Sequence, residues 1–196
     1  MKFSIASAIQ RFRPGIAPTL VVLVLLPLMV GLGFWQLSRG HEKQLMVDSY
    51  AERRAAEPVG SAQLGGMADP AFRRVHLRGQ FDGEHSVLLD NRMRNGKAGV
   101  ELLQPFHDQA SGLWLLLNRG WLPWPDRRAP PVFSTPEQPV NLDAWVYVAP
   151  GETFQLHADP ATAQWPRLLT ALHPAALWAE LGRSGFVYEL RAEAGP

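Results

Sequence analysis

Residues 87–106 read VLLDNRMRNGKAGVELLQPF. The Asn95-Gly96 pair in this stretch is the strongest short-range signal for a two-residue β-turn. Both central positions of a type I′ turn need positive φ, which asparagine and glycine reach at least cost. The arms 87–93 and 100–106 are therefore predicted to be two antiparallel strands, joined through Arg94-Asn95-Gly96-Lys97.

Working outward, DQASG at 108–112 is a second turn that returns the chain into LWLLLNRGW at 113–121. The unbroken apolar run 113–117 predicts a central strand covered on both faces. On the other side of the hairpin, RRVHLRG at 73–79 alternates, with Val75 and Leu77 facing one way and Arg74, His76 and Arg78 the other. That is a half-buried strand, and the whole reads as an antiparallel meander. VNLDAWVYV at 140–148 alternates again, Val140, Leu142, Ala144, Val146 and Val148 on one face, Trp145 and Tyr147 on the other. PAALWAEL at 174–181 has the proline start and Gly182 stop of a short helix, and the strand FVYEL follows.

Between Leu122 and Pro139 stand prolines 123, 125, 130, 131, 136 and 139. Such a stretch neither extends a central strand nor forms a helix. It is read either as a partner-binding loop or as a surface crossover pinned by Trp121 and Trp124.

At the N-terminus, residues 16–37, IAPTLVVLVLLPLMVGLGFWQL, carry no charge, and only Thr19 and Gln36 are polar. A helix of that length crosses the ~30 Å hydrocarbon core of a bilayer. A cleaved signal peptide would have a shorter apolar region and a small-x-small cleavage site, so an uncleaved anchor is expected. Of the 19 basic residues, Lys2, Arg11 and Arg13 precede the run, and all 18 acidic residues follow it. The basic flank is expected to stay in the cytoplasm, which puts the rest in the periplasm of a bacterium and the anchor in its inner membrane. The absence of cysteine agrees with an oxidising compartment. The part after the run is net negative and its arginine pairs are scattered, which disfavours nucleic acid as a partner.

The predicted organisation is a cytoplasmic flank at 1–14, a transmembrane helix at 15–37, an amphipathic stalk helix at 38–57, a linker at 58–70 and one β-rich domain at 71–196. The fold class is mainly β with minor α: an antiparallel sheet or small barrel with one or two short helices, preceded by the transmembrane helix and stalk.

No nucleophile elbow, phosphate loop, dinucleotide fingerprint or metal-spaced Cys/His cluster occurs, and the expectation is a protein that is not an enzyme and holds no metal. At the membrane exit, Gly31 and Gly33 offer a close-packing face, Gln36 can hydrogen-bond across a helix interface, and Trp35 and Arg39 suit the headgroup region. These five are the candidate residues for contact with a partner helix or a flat cofactor. Packing against a partner helix and simple anchoring both account for them.

GFWQLSRGHEK at 33–43, RGQF at 78–81, LLDNRMRNGKAG at 88–99 and LLLNRGWLP at 115–123 resemble, in order and spacing, the surfeit-locus family of cytochrome c oxidase assembly factors. The resemblance runs from about residue 15 to the end. It implies a membrane-anchored assembly factor that helps haem a enter, or stay in, the core subunit of a haem-copper oxidase. Its implied partners are that subunit and haem a synthesis proteins, and its implied cofactor is haem a, held transiently. On the matching positions, Gly33, Trp35, Gln36 and Arg39 carry the first-helix signature. Asn91, Arg92, Gly99, Asn118, Arg119, Gly120 and Trp121 carry the domain signature. Arg119 is expected to stack on Trp121 or pair with a carboxylate, and Arg92 or Arg119 to be able to meet a partner or a haem propionate. The family ends in a second membrane helix with a histidine proposed as haem ligand. No second such run follows Leu37, so either the chain is truncated, which the open end GFVYELRAEAGP favours, or this member lacks the segment, and His41 is the one substitute near the membrane. The rival reading is a membrane-tethered periplasmic β-domain that binds an envelope protein or polymer and has no role in haem.

Overall fold

The computed structural model describes residues 15–149, 151, 159 and 162–193. The basic flank with Lys2, Arg11 and Arg13, on which the orientation rests, lies outside the described residues, as does the end 194–196. The chain divides into two units, Met1–Ser49 and Tyr50–Pro196.

The first unit is helical. Helix α1, Ile16–Ala55, runs through the apolar segment without a break, accommodates Pro27 within it, and ends in the second unit with Arg53 and Arg54 in its last turn. By length and composition it is able to cross a membrane. Basic residues in a last turn suit the negative end of the helix dipole.

In the second unit the chain forms β1 (Val59–Gly60), a 3-10 turn (Ser61–Gly66), β2 (Arg74–Phe81), β3 (Val87–Arg94), β4 (Lys97–Asp108), β5 (Trp114–Pro123), β6 (Val140–Tyr147), β7 (Arg167–Leu169), helix α2 (Pro174–Glu180) and β8 (Gly185–Ala192). The sheet order is β1-β2-β6-β8-β5-β4-β3-β7, and β2 also pairs with β4. That extra pairing closes β2, β6, β8, β5 and β4 into a small barrel, as the mainly β reading expected. The long strand β4 makes closure possible: Lys97 to Leu103 pairs with β3, and Phe106 to Asp108 crosses onto β2.

Local chemistry sets the hairpin. Asn95 and Gly96 have φ of 52° and 74°, as a type I′ turn requires. Alternation sets the faces. Val75, Leu77, Leu115, Leu117, Ala144, Val146 and Leu190 all point into the barrel with no accessible surface. Leu116 points the other way, under α2, where Leu177 and Trp178 cover it together with Val87, Leu89 and Leu103. The run 113–117 is thus covered on both faces. Helix α2 has Pro174 in its first turn, and Gly182 follows it at φ 62°.

Three features depart from the sequence reading. The sheet is mixed rather than wholly antiparallel: β8 lies between β6 and β5 and runs parallel to β5. A parallel partner needs a long crossover, which the chain through β6, β7 and α2 supplies. Segment 58–70 is more than a linker. Val59 and Gly60 pair with β2, Ser61 is buried, and Leu64 fills the barrel core at 1% exposure. Its glycine-rich composition conceals one apolar residue that the barrel end needs. Finally, Phe72 adopts φ 61° and stacks on Tyr50 of α1 at 3.8 Å, while Arg53 pairs with Asp69 at 2.7 Å. The end of α1 is tied to the barrel by these contacts.

Candidate functional site

Both domain-signature blocks sit on β-bulges. On β3, Leu89 pairs with Glu101 and the next pair is Arg92 with Gly99, so β3 holds one residue more than β4, and Asn91 takes φ 58°. On β5, Leu102 pairs with Gly120 and Leu103 with Asn118, which leaves Arg119 extra and puts Gly120 at φ 114°. A bulge bends its strand and re-aims the side chains beside it. Asparagine tolerates the left-handed region, and at φ 114° a residue with a Cβ is strained.

The two bends align one polar stripe across five strands. Trp145 of β6 stands opposite Arg191 of β8, and Arg191 opposite Asn118 of β5. Asn118 donates to Glu101 on β4 at 3.1 Å and to Glu189 on β8 at 2.8 Å, and its own Oδ1 accepts from the Gly120 N–H at 2.9 Å. Arg191 donates to Glu189 at 2.9 Å, approaches Glu101 at 3.6 Å, and lies over Tyr147 with its guanidinium carbon 3.8 Å from the ring centre. Arg92 closes the stripe on β3, 3.5 Å from Glu101.

Above this stripe is a groove of about 580 Å³. Burial pushes the pKa of Glu189 up, against the opposing pull of Arg191 and Asn118.

Gly99, Trp121 and Arg92 form one device. The Trp121 indole reaches across β4 to donate to the Arg92 carbonyl at 2.9 Å. It can do so because the strand beneath it carries glycine. A Cβ on Gly99 would lie 2.5 Å from the Trp121 ring and 2.3 Å from the Leu122 carbonyl oxygen.

Arg119 goes elsewhere. Among the described residues it neither stacks on Trp121 nor pairs with a carboxylate. Its guanidinium lies 4.9 Å over Phe81 and donates to Gln104 Oε1 at 2.6 Å and to the Ser134 carbonyl at 2.8 Å. The bulge turns Arg119 away from its neighbour Asn118, toward the proline-rich segment. Gln104, fully buried, also donates to Thr135 at 2.7 Å. Trp124 and Phe133 pack on Leu88, Val100 and Leu102. The segment is therefore pinned as a crossover, and Trp121 is engaged with Arg92 instead.

The structure thus brings together Asn91, Arg92, Gly99, Asn118, Gly120 and Trp121 around the groove and directs Arg119 behind it. Gly31, Gly33, Trp35, Gln36 and Arg39 lie in the separate helical unit. Trp35 is 56% exposed, and among the described residues nothing outside the helix's own backbone stands within 4 Å of a Cβ placed on Gly31 or Gly33 and Arg39 pairs only with Glu42 of the same helix at 3.6 Å. Sequence reading missed Glu101 and Arg191, which line the groove, and Glu189, which bonds to its Asn118 and Arg191. Their one available signal is the outward phase of β4 and β8. Among the described residues no histidine lines the groove and no cluster of three or more His, Cys, Asp or Glu side chains is arranged to hold a metal ion.

The sequence model of the SURF1 family matches residues 23–195, taking in the greater part of α1 and the barrel. The chain belongs to the SURF1 family. Among its relatives, a SURF1-like protein of Rickettsia felis is 33% identical over 104 residues, 52% of this chain and 45% of that protein. Surfeit locus protein 1 of Takifugu rubripes is 28% identical over 121 residues, 52% of this chain and 49% of the relative. The mouse protein of that name is 27% identical over 117 residues, 52% and 38% of the two chains. These matches span about half, or less, of the relatives' own length. As a SURF1-family chain, this one carries both domain-signature blocks at the bulges that build the groove.

Proposed function

We propose that this chain is a membrane-anchored, non-enzymatic assembly factor for a haem-copper cytochrome c oxidase. It assists haem a insertion into the core subunit, or stabilises that subunit while insertion proceeds. The observation that supports the reading most is the family match over 173 residues' span, 23–195, which takes in an apolar helix and a barrel together. In this reading α1 anchors the chain in the bacterial inner membrane with its start in the cytoplasm, and the barrel works on the periplasmic side. Haem a is cargo that passes near the factor, and the core subunit is its principal partner, with haem a synthesis proteins close by.

The helix offers a concrete test. Gly31 and Gly33 face open space, so leucine at either position fits the helix and is as compatible with lipid as glycine. Gly33→Leu in the complete protein is expected to leave the amount of factor in the membrane unchanged while haem a absorbance of the membranes falls and b- and c-type haems persist. Trp35→Ala is expected to act in the same direction more weakly. Deleting the gene in a strain without a second copy, grown where that oxidase is required, is the decisive case: unchanged haem a occupancy would overturn the proposal.

A further inference from the structure

We infer that the groove over the polar stripe is a docking site for an acidic, extended segment of a partner polypeptide. The inference concerns the barrel surface and stands whether or not the partner is an oxidase subunit.

Charge supplies the first reason. Arg92 and Arg191 already face Glu101 and Glu189, so the centre of the stripe is balanced. Two further guanidiniums flank it without a carboxylate among the described residues: Arg94, which lines the groove at the β3 end, and Arg54, whose guanidinium carbon lies 4.5 Å over the Trp145 ring at the β6 end. The groove is therefore flanked by positive charge that nothing within it offsets.

Length supplies the second reason. Following the curved sheet surface from β6 through β8, β5 and β4 to β3 at the ~4.8 Å strand spacing is a path of roughly 19 Å, which an extended peptide of about six residues can follow. A single phosphate or headgroup would satisfy one end and leave the other unpaired. Composition supplies the third. Trp121, Trp145, Tyr147, the 65% exposed Met93 and several arginines are the residue types that concentrate at protein contacts. The groove floor is shaped by the two bulges and by the Trp121 to Arg92 bond, which is in place without a partner.

The test uses the full chain in uncharged lipid nanodiscs and a fluorescently labelled probe, acetyl-Glu-Leu-Glu-Phe-Glu-Leu-amide, read by anisotropy. Binding is expected, and it should weaken as salt rises from about 0.05 to about 0.5 M, because the flanking charges are solvent-accessible. The glutamine version of the probe should bind at least about tenfold more weakly. Arg94→Glu and Arg54→Glu should each weaken the acidic probe several-fold and together abolish it. Arg94 has no ion-pair partner among the described residues, so Arg94→Glu should leave the melting temperature unchanged, whereas Arg54→Glu also removes a cation from the Trp145 ring and from the last turn of α1, so Arg54→Gln serves as the milder variant. Equal binding of the two probes, or no loss in the double variant, would overturn the inference. Vesicles of phosphatidylglycerol that displace the probe at matched accessible charge would reassign the groove to lipid and overturn it as well.

Discussion

At the scale of single residues, the family's quoted blocks separate into positions that shape backbone and positions that carry charge. Gly99 belongs to the first kind, since the Trp121 ring and the Leu122 carbonyl occupy the space of its absent side chain. Gly99→Ala is expected to cost roughly 1–3 kcal/mol, the usual range for overpacking, and to free the indole. A denaturant midpoint that falls together with a red shift of tryptophan emission would report both. Asp108 is a different case. Its buried carboxylate accepts from Ser61 at 2.6 Å, from the Ser111 hydroxyl at 2.7 Å and N–H at 2.8 Å, and from the Arg78 N–H at 3.1 Å. Burial alone would raise its pKa, but these donors hold it below the ordinary 3.8. A depressed folded-state pKa contributes stability that is complete above the unfolded value and is lost as pH falls through the folded one. The stability gap between the native protein and Asp108→Asn should therefore be steady at neutral pH and shrink below about pH 4. A gap that widened on acidification would contradict this assignment.

At the scale of elements, what could be read in advance is what local chemistry decides. The hairpin was legible because asparagine and glycine reach the positive φ of its turn at least cost, and Val75, Leu77, Ala144 and Val146 announce their inward face by alternation. Gly96→Val is expected to destabilise the barrel by on the order of 1 kcal/mol or more, since a β-branched residue resists positive φ. An unchanged melting temperature would show that the turn tolerates it. The bulges at Asn91 and Arg119 were not legible. A bulge is a mismatch between two strands, and one strand's sequence does not state how many residues its partner sets against it. For the same reason the partners of Arg119 were misread. Its sequence neighbour Trp121 looked close, but the bulge sends Arg119 to Gln104 and Ser134. The candidate site was half visible. Asn118, Arg92 and Trp121 stand in quoted blocks, while Glu101, Glu189 and Arg191 enter only through a strand register that spans much of the chain. Leu64 was hidden by the glycines around it.

At the scale of the whole molecule, the helical unit and the barrel unit set different expectations. For the first, a reporter active only outside the cytoplasm, fused after the last residue, should be active, with the protein full-length in the membrane fraction. A shortened soluble product would show that the apolar run is removed. For the second, topology sets an order of events. Strand β8, the last of the staves in sequence order, stands between β5 and β6, and no barrel exists until it arrives. A chain emerging from its N-terminus thus presents Leu64, β2 and the Asn-Gly hairpin long before the last stave can seal them. Until then Leu115, Leu117 and Val146 have only an open, unsealed sheet to cover them. The interval between delivery of β5 and delivery of β8 is when this protein most needs protection from its neighbours, and any chain that halts within it is a target for quality control rather than a working half-barrel.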